Sequence, residues 1–293
     1  MNDAFRDALF TPLRESSQYR LAAIVELGRL SEQERERLAS KCPGRLWSLL
    51  QQSDFKNLLS VSPCLCVPRE GASLEGQWDF FWMLNELAMQ GICGWIVSKL
   101  PAAALLEHLG QANIVRAADG HRYLLRYHTE HSLKVLHARR DLPDIAHWLA
   151  PIHSWWVPYP DHQKQSWQCL SGGDLPAGKR LSGLALDQAC WHALSGEPLS
   201  QRLAEQLKST LADSGVPARC HGVRLGLAQH HLAQARAAGL TRQADLITYV
   251  NCMAVHETTL KTCAAWQHAL DQARANTRLL ADALAQANIQ SLQ

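Results

Sequence analysis

The chain has no long apolar run, no excess of one charge and no C-x-x-C cysteine motif. Its longest uninterrupted apolar stretch, residues 100–106, is seven residues. A membrane-spanning helix needs about 20, so none is expected. The opening residues Met1-Asn2-Asp3-Ala4-Phe5-Arg6-Asp7 carry two acids and no apolar segment of secretory length, so no signal peptide is expected either. Net charge is +2 without a basic run. A nucleic-acid binder shows a basic stripe, so neither nucleic acid nor a membrane is an expected partner. The nine cysteines are odd in number, scattered, and never spaced C-x-x-C. That pattern speaks against a disulfide framework and for a reducing, cytoplasmic location.

What is present fits a globular chain. With 293 residues and 47% hydrophobic content it is long enough for one large or two modest domains. Ten Trp against five Phe and five Tyr is unusual. Trp is enriched at interfaces, which is compatible with binding, although core packing is the plainer role for most of the ten.

Residues 1–150 alternate strand-like and helix-like segments. Tyr19–Glu26, Pro63–Val67 and Ile92–Ser98 read as strands. Ser31 with Glu34 forms a capping box. Gly76–Gln90 and Pro101–Gly110 read as helices ended by glycine. Within Asn113–His128 the dipeptide Asp119-Gly120 predicts a hairpin, and Tyr123, Leu125 and Tyr127 alternate as a half-buried strand does. Helices follow at 131–139 and 142–150. The expected N-terminal lobe is therefore α/β, a small mixed sheet with flanking helices.

Residues 151–185, rich in Pro and Gly, are expected as a junction. From 186 to 293 strand signals stop and an all-α lobe is expected, with helices at 186–195, 199–213, 218–238, 242–257 and a long one at 258–288. Cys263, Trp266, Leu270, Ala273, Thr277, Leu280, Leu284 and Ala287 form an a/d stripe along that last helix. It either docks on its own lobe, the preferred reading, or serves a partner.

No chemical motif is complete. Gly173-Asp174-Leu175-Pro176-Ala177-Gly178-Lys179-Arg180 matches a phosphate-binding loop until Arg180 stands where Ser or Thr should hold magnesium, and Pro176 removes a needed N–H. Cys64 and Cys66 share a strand face without a second pair. His128, His131, His230 and His231 sit in no H-E-x-x-H frame, so a zinc site would need tertiary convergence. There is no G-x-S-x-G. No catalytic residue, cofactor site or metal site is expected, and the chain is not expected to be an enzyme.

The order of segments resembles the type VI secretion effector chaperones, also called adaptors, long catalogued as a domain of unknown function. The similar pieces are Leu21-Ala22-Ala23-Ile24-Val25-Glu26, Ser62-Pro63-Cys64-Leu65-Cys66-Val67, Gly94-Trp95-Ile96-Val97-Ser98, and Leu105-Leu106-Glu107-His108-Leu109. The most characteristic is Asp119-Gly120 followed by Leu124-Leu125-Arg126-Tyr127. In the second half, Leu186–Leu194 and Ala237–Val250 resemble helices of the same family. His128-Thr129-Glu130-His131 stands where the family has aromatic-Asp-Pro-Arg. The resemblance implies a non-enzymatic cytoplasmic protein that binds a toxic effector and promotes its loading onto the VgrG or PAAR spike. Its partner surface would be apolar and aromatic. Arg126, Trp155, Trp156, Trp266, Leu270 and Leu280 are the candidate partner-binding residues. The alternatives are an enzyme with a hidden Cys/His metal or thiol centre, and a helical regulatory protein.

Overall fold

The computed structural model describes residues 3–116, 121–195, 198–215 and 220–287. The chain divides into two compact units, Met1–Tyr159 with Trp167–Gly196, and Pro160–Ser166 with Glu197–Gln293.

The first unit runs α1 (Asp3–Glu15), β1 (Arg20–Glu26), α2 (Glu32–Lys41), β2 (Leu46–Ser48), β3 (Pro63–Cys66), α3 (Leu74–Ala88), β4 (Ile92–Ser98) and α4 (Ala102–Gly110). It continues with β5 (Ile114–Arg116), β6 (Arg122–Leu124), α5 (Glu130–Ala138), α6 (Pro143–Leu149), β7 (Ile152–Tyr159), β8 (Ser166–Ser171) and α7 (Gln188–Leu194). Six strands form one sheet in the order β2-β3-β1-β4-β7-β8. The pairings β2–β3, β3–β1, β1–β4 and β4–β7 are antiparallel.

Both faces of this sheet are covered, which explains why its strands read as continuous apolar runs rather than as alternation. On β1, Ala22 and Ile24 enter one core with Leu109, Leu136 and Trp148, while Leu21, Ala23 and Val25 enter another with Phe10, Leu38 and Phe81. Where β1 meets β4 the register shifts between Ile24 and Val25, a bulge that puts Ile92 and Trp95 on the same face. Beside it, a Cβ on Gly94 would lie 2.7 Å from Trp155 Nε1 and 2.9 Å from the Trp156 carbonyl oxygen. Only glycine lets β7 pack that close.

The expected α/β lobe is thus present, with two departures. The hairpin of β5 and β6 pairs antiparallel but forms its own two-stranded sheet. Its expected turn, Asp119-Gly120, lies outside the described residues. The segment 151–185 is not a mere junction, because β7 and β8 extend the main sheet. Pro158 is tolerated because β7 pairs with β4 through Ile152–Trp156, so its missing N–H falls beyond that ladder.

The second unit is helical: α8 (Leu199–Asp213), α9 (His221–Ala237), α10 (Gln243–Lys261), α11 (Ala264–Arg274) and α12 (Leu280–Gln286). The expected single helix at 258–288 is three pieces. α10 runs past 257 to Lys261, and α11 ends at Arg274 before Asn276 takes a left-handed φ of 55°. Asn is among the few residues that accept that conformation at a helix end. The stripe survives the breaks: Trp266, Leu270, Ala273, Leu280 and Leu284 all enter the core of this unit. Asp245, 1% exposed, accepts the Leu280 backbone N–H at 2.7 Å and Arg242 Nε at 2.6 Å, so one buried carboxylate both caps α12 and holds an arginine.

Candidate functional site

The structure separates the six residues singled out from sequence. Trp155 is 1% exposed and packs on Trp148, ring centroids 5.7 Å apart. Trp156 is half-buried against Phe5, 5.2 Å away. Trp266, Leu270 and Leu280 are buried in the helical core. These five side chains are packing residues, and the docked reading of the C-terminal stripe is the one the fold adopts. Of the ten tryptophans Trp95, Trp148, Trp155 and Trp266 are fully buried and Trp82 is exposed.

Arg126 differs. Its Nη2 lies 2.5 Å from Glu26 Oε1 at the end of β1, and its side chain is 51% exposed against 13% for Glu26. Arg29 Nε binds the other oxygen at 2.9 Å. His128 is buried beside this cluster, and its Nε2 has no hydrogen-bond partner. Burial alone would raise the Glu26 carboxyl, but Arg29, His128 and Arg126 together hold it below its ordinary value. Burial pushes His128 down to about 4, against the pull of Glu26 and with the two arginines adding to the drop. The cluster is a neutral base beside a paired carboxylate, and it pins the segment after β6 to β1.

That pinned segment forms a wall of an open groove of about 290 Å³ whose lining residues are mostly apolar: Val115, Tyr123, Leu124, Leu125, Leu186, Trp191, Leu194 and Ser195. Tyr123 meets Trp191 edge-on at 5.1 Å, yet Tyr123 stays 44% and Leu124 36% exposed. The opposite wall is α7, whose Asp187 cap accepts the Cys190 N–H at 2.8 Å and pairs with Arg139 at 2.6 Å. Among the described residues β6 has β5 as its only strand neighbour. The sequence reading overlooked the groove because Tyr123 and Trp191 lie far apart in the chain. Their one shared signal was that both fall in segments carrying the family resemblance.

All nine cysteines are free, and burial pushes Cys64 and Cys93 up to about 12 and Cys66 well above its ordinary value. The phosphate-loop lookalike is irregular chain. No helix follows Lys179 until α7, and the Lys179 carbonyl binds His147 Nε2 at 2.7 Å.

One group of potential metal ligands stands out among the described residues. His230 and His231 on α9 and Glu257 on α10 bring one donor atom each within 4.8 Å of one another. His162 stacks on His230, ring centroids 4.3 Å apart and planes within 6°. It is held there by a close crossing: a Cβ on Gly226, one turn before His230, would lie 2.4 Å from the Asp161 carbonyl carbon. Asp161 fixes that loop by accepting the N–H groups of Gln163 and Lys164 and the Ser166 hydroxyl.

Among the described residues no helix is long and apolar enough to cross a membrane. No curated protein and no solved structure matches the chain. A family model described as a domain of unknown function, DUF4123, matches residues 23–147, from β1 to α6, the stretch that holds Glu26, Arg126 and the hairpin wall of the groove.

Proposed function

We propose that this protein is an effector chaperone, or adaptor, of a type VI secretion system. It works in the cytoplasm of the producing cell, binds a toxic effector and promotes its loading onto the VgrG or PAAR spike. The observation that carries the reading is the open groove, because its hairpin wall belongs both to the DUF4123 match and to the Leu-Leu-Arg-aromatic segment of the family resemblance. A groove walled by Tyr123, Leu124 and Trp191 suits an apolar polypeptide segment that must be shielded before loading. Main-chain pairing along β6 would add affinity, and the aromatic side chains would select what lies there.

The test is co-expression with the effector encoded beside it. The effector is expected to gain solubility and to co-purify. Tyr123→Asp with Leu124→Asp, both on exposed positions, is expected to abolish co-purification while leaving the melting temperature of the free protein nearly unchanged. An effector that is equally soluble and equally secreted without this protein overturns the reading.

A further inference from the structure

We propose that the helical unit binds a divalent transition-metal ion through His230, His231 and Glu257. The three residues come from two helices, and nothing in their sequence spacing joins them. Neighbouring positions on a helix point about 100° apart, yet the two imidazoles converge, ring centroids 5.1 Å apart at 65°. Glu257 reaches them from α10 just after His256 breaks the helical geometry with φ −124° and ψ 23°.

The decisive atom is His231 Nε2. His231 is 1% exposed, and its Nδ1–H donates to Gln234 Oε1 at 2.9 Å. That bond leaves the lone pair on Nε2, which has no hydrogen-bond partner. A buried acceptor without a donor is costly, and this one belongs to one of three side chains whose donor atoms gather within 4.8 Å of one another. A metal-ligating histidine characteristically donates its other ring N–H to a fixed oxygen, which is the part Gln234 Oε1 plays. The Gln234 amide N–H also donates to His230 Nε2 at 2.9 Å, so one side chain orients both rings. Taking the ion costs His230 either that bond or the proton on Nδ1. Lys261 occupies one carboxylate oxygen of Glu257 at 2.8 Å, and the carboxylate has a second.

The donor set identifies the class of ion. Two imidazoles and one carboxylate favour zinc, cobalt or nickel over magnesium or calcium, which prefer all-oxygen sites. Water would complete the shell. The stacked His162 ring fixes the plane of His230. The ion would clamp α9 to α10, so its first effect is on the stability of the helical unit.

The test uses the full chain without a histidine tag, stripped with a chelator and titrated calorimetrically with zinc, then with cobalt for its visible spectrum. One equivalent of zinc is expected to bind in the micromolar range or tighter and to raise the melting temperature. Glu257→Gln alters a partly exposed side chain, so its fold is expected to survive. It and His230→Gln are each expected to weaken binding at least ~10-fold, as is the positioning variant Gln234→Ala. His268→Ala, on the exposed face of α11, is expected to leave binding unchanged. A stripped protein that shows no stoichiometric binding overturns the proposal, and so does zinc affinity that Glu257→Gln and His230→Gln leave intact. Neither result touches the groove, so the chaperone reading stands or falls separately.

Discussion

Among the described residues, each unit holds an arginine-paired carboxylate and a buried histidine whose Nε2 has no partner, but the two pairs are wired differently. In the sheet unit Glu26 and His128 share a neighbourhood, and the nearby charges besides Glu26 are arginines. Arg29 and Arg126 repel any further cation, so His128 is a buried neutral base and nothing more. In the helical unit the carboxylate Asp245 is taken up by Arg242 and the α12 cap, while His231 lies in a group with His230 and Glu257. The same orphan nitrogen is a packing compromise in one setting and a ligand in the other. The neighbours differ: two arginines and one carboxylate act on His128, whereas His231 is grouped with a second imidazole and with a carboxylate that Lys261 also pairs.

The largest effect expected from breaking this comparison is at Asp245. Asp245→Ala leaves Arg242 without its carboxylate and the Leu280 N–H without its acceptor. A loss of about 3–5 kcal/mol in denaturant unfolding is expected. Asp245→Asn keeps an acceptor for the cap and should lose distinctly less, and equal losses would mean the charge alone matters.

Next is the pH dependence of the sheet unit. His128 titrates near 6.5 when unfolded and is pushed to about 4 when folded, so the unfolded chain binds the extra proton between those values. Its contribution is fully present above pH 6.5 and is lost as pH falls towards 4. Glu26, held below its ordinary value, adds a further loss below about pH 4.5. His128→Gln is expected to flatten the upper part of the profile only, by up to about 1.4 kcal/mol per pH unit. An unchanged slope between pH 6.5 and 4.5 refutes the buried-base assignment.

The smallest effect is at Arg126. Its side chain is half exposed and Arg29 still neutralises Glu26, so Arg126→Ala should cost less than about 1 kcal/mol by thermal or chemical melting. A drop of several kcal/mol would make Arg126 as structural as Arg242.

Much of the fold was legible because local signals agreed with it. α8 begins after Pro198 and ends at Asp213, as its pattern predicts, and the Ser31–Glu34 box caps α2. β4 runs Ile92–Ser98 as read. The failures are equally physical. Proline signals outvoted β7, since the sequence does not show which strand bonds Pro158 would forgo. The stripe at 263–287 hid two breaks because all three helix segments turn the same kind of face to one core, and Asn276 was its quiet marker. Of the six candidate residues only Arg126 keeps both a defined polar partner and an exposed surface. The groove and the His230–His231–Glu257 cluster were invisible because each is assembled from segments far apart in sequence.

The excursion Pro160–Ser166 bears on how the gene can change. These residues join the helical unit while the strands on either side, β7 and β8, belong to the sheet. The backbone therefore visits the second body twice, and the tip of a β-hairpin is on loan to it. Recombination at residue 196 would swap the last hundred residues but leave the old tip behind, facing a foreign Gly226 and His230. A functional hybrid must exchange the tip and the tail together, so the C-terminal half is not a free cassette. Selection acting on either piece should be felt in the other, and natural breakpoints should fall before β7 rather than between the two units.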